Sequence, residues 1–129
     1  VYIPIERRYS FDETRQVGQF IATYLAEKHH SLVTIERLVK NRGTKLYIDY
    51  LQHWRGKTLP APYSTRARPQ ATVSTPITWD EVPRIHPTDF TVHTVPQRLK
   101  ERGDLFAPVH DPNRRASLDP ILAFLARRR

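Results

Sequence analysis

The clearest pattern of apolar and polar residues along the chain is helical. Its apolar members recur at intervals of three and four positions: Val17, Phe20, Ile21, Tyr24 and Leu25. Just before them, Ser10 is followed three residues later by Glu13. This spacing is typical of a capping box, in which the two residues bind each other's backbone N–H groups. The pattern therefore predicts a helix over residues 11–28.

Shorter patterns follow on both sides of this helix. Residues 1–5 alternate as a short strand does, and a second, shorter helix is predicted after Thr34 and before Gly43. Residues 45–51 are rich in Tyr, Leu and Ile, which predicts a strand. Residues 55–76 contain repeated prolines and are predicted to be irregular or extended.

The last third of the chain alternates between helices and connections. Residues 79–82 predict one helical turn, and residues 94–102 predict a helix that Gly103 ends as a C-cap. Residues 107–116 are predicted to be a linker. Ser117 is predicted to cap a final helix with a basic end and an apolar stripe of Leu118, Ile121, Leu122 and Leu125.

These elements predict an α+β fold. Its mixed sheet is expected to contain the strand 45–51, with the helix 11–28 packed across one face.

The most informative residue of that strand is Asp49, because an unpaired carboxylate is costly to bury. Two explanations are open: a salt bridge to Lys45 or a nearby arginine, or a role as metal ligand or general base.

Segment 61–68 is a second candidate for chemistry. If it is extended, Ser64, Arg66 and Arg68 share one face, where a hydroxyl and two guanidinium groups can grip a phosphate. The alternative is a pair of solvated surface arginines. Trp54 and Trp79 are interpreted as core or platform residues rather than as residues that stack on bases.

Composition narrows the function classes. The chain has 21 Lys and Arg against 13 Asp and Glu, a formal charge of +8, which favours polyanionic partners such as nucleic acid. It contains no cysteine, which excludes disulfides, thiolate zinc sites and a cysteine nucleophile. The missing cysteines also fit a reducing cytosol, so a cytoplasmic protein is expected. No run of about 18 apolar residues occurs, so we expect no segment that spans a membrane and no membrane partner.

Several short blocks share their order and spacing with a known family. The blocks are RGTKLYIDYLQ at 42–52, RGKT at 55–58, APYSTRARP at 61–69 and VSTP at 73–76, continued by WDEV at 79–82, DFT at 89–91 and RGDL at 102–105. Together they resemble the C-terminal half of the polymerase domain of bacterial DNA ligase D, in the archaeo-eukaryotic primase superfamily. The resemblance covers roughly residues 1–106. It leaves 107–116 as a linker and 117–129 as a C-terminal helix.

The resemblance assigns roles to individual residues. Asp49 matches the third carboxylate of a site in which two divalent ions, magnesium or manganese, support phosphoryl transfer to a primer end. Positions around the incoming nucleotide match Arg42, Gln52 and Arg66. Nucleic acid or phosphate is expected to lie near Lys57, Ser64 and Arg68.

The resemblance also implies motifs that these 129 residues lack. The family's Asp-x-Asp metal pair, and the serine and histidine that hold the triphosphate, precede the region matched here. We therefore expect that this chain has no polymerase activity by itself. The metal would bind only together with a chain or domain that carries the N-terminal half.

The function implied is metal-dependent nucleotidyl transfer in non-homologous end joining. The implied partners are DNA ends, nucleoside triphosphates, a DNA ligase domain and the end-binding protein Ku. The alternative is a non-catalytic module that binds nucleic acid or nucleotide through the basic residues retained here.

Overall fold

The computed structural model describes residues 1–128; Arg129, part of the predicted basic end, lies outside the described residues. Helices and strands follow in the order α1 (Phe11–Lys28), β1 (Val33–Thr34), α2 (Val39–Arg42), β2 (Leu46–Tyr47), α3 (Val95–Arg102) and α4 (Asp119–Ala126). Short 3₁₀ turns occupy Tyr50–Gln52, Val82–Arg84, Pro87–Asp89, Ala107–His110 and Pro112–Arg114. The predicted α+β class is confirmed.

The chain divides into two compact units. The first unit comprises Val1–Pro4 and Leu59–Arg115. The second unit comprises Ile5–Thr58 and the described residues from Ala116 onward. Within residues 1–128, none of the helices combines the length and the apolar character needed to cross a membrane.

In the second unit, α1 has the predicted bounds and the predicted cap. The Ser10 hydroxyl accepts the backbone N–H of Glu13 at 3.3 Å, and the Glu13 carboxylate accepts that of Ser10 at 2.7 Å. The carboxylate also accepts the Ser10 hydroxyl at 2.8 Å, and the two hydrogen bonds that it accepts from the backbone and the hydroxyl of Ser10 lower the pKa of Glu13. Val17 and Ala22 are buried on the inner face of the helix.

The sheet is smaller than the sequence predicts. β1 and β2 pair in parallel, with Val33 opposite Leu46 and Thr34 opposite Tyr47. The strand predicted over 45–51 is too long, because the chain enters the 3₁₀ turn Tyr50–Gln52, which has Asp49 as its N-cap residue. The predicted strand over residues 1–5 is reduced to an isolated bridge between Ile5 and Ala116.

Close packing joins α1 to the segment that follows β2. A Cβ atom added to Gly18 would lie 2.7 Å from Nδ1 of His53, so a larger side chain cannot fit there unless the histidine moves. On another part of α1, the ring of Phe20 meets that of Phe124 from α4 edge-on at 5.7 Å. The final helix α4 begins at Asp119 with Leu118 as N-cap, after the predicted cap Ser117.

The first unit is mostly irregular, as predicted from its prolines. Thr65 and Val73 form an antiparallel bridge. α3 ends at Gly103, whose φ of 69° is accessible to glycine at little cost, so this predicted C-cap is confirmed. Two 3₁₀ turns lie within residues 107–116, and the division of the chain into a polymerase part, a linker and a final helix stays a prediction.

Candidate functional site

A cleft of about 400 Å³ lies in the second unit. Its lining includes four of the residues that the sequence singled out: Arg42, Asp49, Gln52 and Lys57. Arg42 ends α2, Asp49 is the N-cap of the 3₁₀ turn after β2, and Gln52 ends that turn. Lys57 follows in the next loop. The sequence blocks 42–52 and 55–58 are therefore brought together at one surface.

The guanidinium group of Arg42 is held from several sides. Its Nε donates to the carbonyl of Glu36 at 2.9 Å, and its Nη2 donates to the carbonyl of Arg37 at 2.5 Å. Its Cζ lies 3.8 Å from the centre of the Tyr47 ring, a cation–π distance. These contacts fix the group while leaving further N–H donors for an anion.

The carboxylate of Asp49 is held by two neutral donors. Oδ1 accepts the hydroxyl of Tyr47 at 3.3 Å, and Oδ2 accepts the side-chain amide of Gln52 at 3.3 Å. Asp49 is exposed and lies beyond β2, so the expectation that it is buried inside a strand is wrong. The proposed ion pair with Lys45 is absent among the described residues. Partial burial, with the nearby charge of Asp49, raises the pKa of Tyr47.

Positive charge dominates the cleft. Four cationic side chains line it: Arg15, Arg37, Arg42 and Lys57. Among the described residues of the lining, Asp49 is the single carboxylate. None of the four cations forms an ion pair with another described residue. A concave surface with this excess attracts phosphate-bearing ligands.

Five residues of the lining were not predicted as site residues from the sequence: Arg15, Arg37, Tyr47, Leu51 and Trp54. Arg37 follows β1, while Arg15 projects from α1 toward Trp54, with its Cζ 4.5 Å from the centre of the indole ring. Trp54 is 40% exposed and Trp79 is 77% exposed, so neither is a core residue, while the alternative interpretation of both as platform residues stays a prediction. Gly18, a poor helix-forming residue in the middle of α1, is the one sequence feature that indicates close packing of this helix against the segment containing Trp54.

The remaining predicted residues belong to the first unit. The segment 61–68 is not extended throughout, because a turn at Pro62 and Tyr63 precedes the bridge at Thr65. The Ser64 hydroxyl donates to the carbonyl of Ala61 at 2.7 Å. Arg66 and Arg68 are exposed. Their contacts with nucleotide or phosphate stay predictions, as does that of Ser64.

A divalent ion of the kind that the resemblance implies needs several oxygen ligands. Asp49 offers one carboxylate, the hard ligand that magnesium and manganese prefer. No group of three or more His, Cys, Asp or Glu side chains able to hold a metal occurs among the described residues. These residues alone therefore do not form the two-ion site that the resemblance implies.

Comparisons with known proteins identify a family and several relatives that this chain resembles. The family described as LigD, primase-polymerase domain, matches residues 1–106. The bifunctional non-homologous end joining protein LigD of Bacillus subtilis is 43% identical over 127 residues, which cover 97% of this chain and 20% of that protein. The multifunctional non-homologous end joining protein LigD of Pseudomonas aeruginosa is 33% identical over 77% of this chain and 12% of its own length.

A solved structure is also similar. It is the polymerase domain from Mycobacterium tuberculosis ligase D in complex with DNA, with a TM-score of 0.76 and 29% identity. The match covers 82% of this chain and 37% of that one. This chain thus spans a minor part of each relative. The resemblance drawn from the sequence blocks is confirmed, and the chain belongs to the LigD primase-polymerase domain family.

Proposed function

We propose that this chain forms part of the nucleotide-binding site of a primase-polymerase that transfers nucleotides to a primer end during non-homologous end joining. The observation that carries the proposal is the cleft in which Arg42, Asp49, Gln52 and Lys57 converge, in a chain of the LigD primase-polymerase family. These residues were selected from the order of sequence blocks, independently of any geometry.

Arg42 is proposed to bind the phosphates of the incoming nucleoside triphosphate. Its guanidinium group is preorganised by two backbone carbonyls and by the ring of Tyr47. A fixed positive charge stabilises negative charge that develops on phosphate oxygens without reorganising at the moment of reaction. Gln52 is proposed to contact the same nucleotide while its amide orients Asp49.

Asp49 is proposed to be one ligand of the catalytic ions. Magnesium or manganese, when bound, would supply charge stabilisation at the reacting phosphate. The other carboxylates that such a site needs, with the serine and histidine that hold the triphosphate, are proposed to come from a further segment of polypeptide. Among the described residues of the cleft, Asp49 is the single carboxylate available to bind such an ion.

DNA ends and nucleoside triphosphates are the proposed ligands. The relative from M. tuberculosis is a polymerase domain in complex with DNA, which supports DNA as a partner here. The relatives from B. subtilis and P. aeruginosa are non-homologous end joining proteins, which supports a place in the same repair process. A ligase domain and Ku are proposed partners on the same basis. Arg66 of the first unit is proposed to contact the nucleotide, and Ser64 and Arg68 to contact phosphate.

A non-catalytic binding module is the second candidate function. The lone carboxylate among the described residues of the cleft favours it, because cations alone suffice to bind a nucleotide or a strand. The two candidates differ in whether addition of the missing carboxylates produces catalysis.

Primer extension tests the proposal. The chain, and an Asp49→Ala variant, are assayed with manganese, nucleoside triphosphates and a primer-template, each alone and as chimaeras. In each chimaera, residues 1–106 replace the matching segment of the M. tuberculosis polymerase domain. We expect no extension by either isolated chain, extension by the chimaera, and its loss in the Asp49→Ala chimaera.

Two outcomes would contradict the proposal. Extension by the isolated chain that Asp49→Ala abolishes would mean that a complete metal site exists within these residues. A chimaera that folds, binds primer-template and fails to extend it would favour the non-catalytic module. Circular dichroism and the unmodified M. tuberculosis domain serve as controls for folding and activity.

A further inference from the structure

One part of the cleft contains two residues, Arg15 and Trp54, to which the proposed nucleotide site assigns no role. It consists of Arg15 from α1, Trp54 and Lys57, which we call the Arg–Trp platform. The guanidinium group of Arg15 lies over the indole of Trp54, with Cζ 4.5 Å from the ring centre. The indole is 40% exposed, so part of it stays accessible to a ligand.

The local sequence explains why the platform forms. Arg15 lies about one helical turn before Gly18, on nearly the same face of α1. Gly18 has no side chain to prevent the approach of His53, the residue that precedes Trp54. This close approach brings the indole under the guanidinium group of Arg15.

A turn then brings the backbone of Lys57 back to that of Trp54. The backbone N–H of Lys57 donates to the carbonyl of Trp54 at 3.1 Å. Gly56 within this turn has a φ of 74°, a conformation that side chains disfavour. The turn returns the chain toward Trp54, and both Trp54 and Lys57 line the cleft.

The cationic groups of the platform have no carboxylate partner in an ion pair among the described residues. Neither Arg15 nor Lys57 forms an ion pair there, although Asp12 lies one turn before Arg15 on α1. Arg15 lies over the exposed indole, and Lys57 lines the same cleft. An aromatic face with basic groups beside it is the arrangement by which proteins bind single strands, through stacking and phosphate contacts.

We propose that the Arg–Trp platform binds a single-stranded segment of nucleic acid. A base stacks on the Arg15–Trp54 pair, and Lys57 contacts a backbone phosphate. The inference rests on the proposed function in that the ligand is a nucleic-acid strand. It adds a strand subsite separate from Arg42, which is assigned to the incoming nucleotide.

The test measures two ligands with the whole chain. The strand probe is a fluorescein-labelled oligothymidine of about 12 nucleotides, within the usual site sizes of single-strand binders. Its affinity is followed by fluorescence anisotropy. The nucleotide probe is ATP, followed by calorimetry. In a Trp79→Phe background, Trp54 is the sole tryptophan, so its emission reports directly on stacking.

We expect the oligothymidine to quench Trp54 emission. Trp54→Ala should weaken strand binding by about 5- to 100-fold, the range for loss of one stacked base. Trp54→Phe should stay within a few-fold of the parent, because the aromatic face is retained. Trp79→Ala, which removes the other exposed indole, is the matched control and should leave the affinity unchanged.

The cations are tested in the same way. Arg15→Ala should weaken strand binding, whereas Arg7→Ala, an exposed arginine outside the cleft, should not. Lys57→Ala should reduce the slope of log K against log salt by about 0.7, the value for one phosphate contact on a single strand. Lys40→Ala should leave that slope unchanged. Thermal melts verify that each variant is folded.

Measuring strand binding and ATP binding separately distinguishes failure of the platform from failure of the proposed nucleotide site. Retained ATP binding with strand affinity indifferent to Trp54→Ala and Arg15→Ala would overturn the platform and leave the nucleotide site standing. Strand binding that leaves Trp54 emission unchanged at saturation would overturn it as well. Strand binding that depends on the platform in a chain that does not bind ATP would support the platform and contradict the nucleotide site.

Discussion

Two groups of charged residues in this chain have opposite characters. In the first unit, Glu81 is buried and its carboxylate meets the guanidinium groups of Arg98 at 2.7 Å and Arg102 at 3.1 Å. It also accepts the backbone N–H and the hydroxyl of Thr78. In the cleft of the second unit, four cations line a surface without an ion pair among the described residues.

The difference separates charges that are paired within the fold from charges that are left unpaired among the described residues and that we propose bind a phosphate ligand. A buried carboxylate is tolerated only when its hydrogen bonds are satisfied, and Glu81 meets that requirement. Cations that repel one another across a cleft raise the free energy of the folded chain, and a phosphate ligand relieves that repulsion. The sequence alone did not distinguish the two groups, since Glu81 was read as part of a simple helical turn.

The largest effect is expected from Glu81→Gln. The substitution leaves Arg98 partly buried without its carboxylate partner, and we expect the free energy of unfolding to fall by roughly 2–3 kcal/mol. Urea unfolding followed by circular dichroism measures the change. The matched control is Asp80→Asn, which breaks the exposed ion pair with Arg84 and should leave stability unchanged. Equal effects of the two substitutions would contradict the claim that the buried charge of Glu81 stabilises the fold.

Glu81 also predicts how stability depends on pH. Its hydrogen bonds from Arg98 and from the backbone of Thr78 lower its pKa to about 2, from an ordinary value of 4.5. A lowered pKa means that the unfolded chain takes up the proton first, so this stabilisation is present above pH 4.5 and is lost as pH falls toward 2.

The Glu81→Gln variant isolates that contribution. Other carboxylates with lowered pKa values, such as those of Asp104 and Asp119, act equally in both proteins. The difference in unfolding free energy between the parent and the variant should therefore shrink between pH 4.5 and pH 2. A difference that is constant over this window would contradict the assigned pKa.

Substitutions of Tyr47 test whether its ring positions Arg42 in the cleft. Tyr47→Ala removes the ring beneath Arg42 and the donor to Asp49, and we expect ATP affinity to fall by about 5- to 30-fold, equivalent to about 1–2 kcal/mol. Tyr47→Phe keeps the ring and loses a long hydrogen bond, so its effect should be about two- to fivefold. Calorimetric titration measures both. Equal losses in the two variants would mean that the ring does not position Arg42.

The smallest effect is expected at Gly18. Alanine is favoured over glycine in a helix by about 1 kcal/mol, but the added Cβ would lie 2.7 Å from the ring of His53. Gly18→Ala alone should therefore gain no stability. In a His53→Ala background the same substitution should stabilise by about 1 kcal/mol. Chemical unfolding of the parent, the two single variants and the double variant measures this double-mutant cycle. An equal gain in stability in both backgrounds would exclude the steric conflict between the added Cβ and His53.

Local patterns predicted the parts of the fold that local interactions determine. The bounds of α1 followed from apolar spacing and the Ser10–Glu13 cap, and the end of α3 followed from Gly103. The extent of β2 did not follow, because a run of β-forming residues does not reveal that the chain turns at Asp49. That turn, not the strand, presents Asp49 to the cleft.

In the candidate site, too, some residues were predictable from the local sequence and others were not. Arg42, Asp49, Gln52 and Lys57 lie close together in the sequence, and their motif identified them. Arg15 meets Trp54 only after α1 packs against the segment beyond β2, a tertiary contact that periodicity cannot predict. The mutual contacts of Tyr47 with Arg42 and Asp49 were likewise absent from the sequence pattern.

Calorimetric titration of ATP into the chain tests the central claim most directly. We expect saturable binding that Arg42→Ala weakens by about tenfold or more, the effect of losing one charge-assisted phosphate contact. Arg7→Ala, which removes an exposed arginine outside the cleft, should leave the affinity unchanged. Binding that is absent, or that responds equally to both substitutions, would contradict the assignment of the cleft as a nucleotide site.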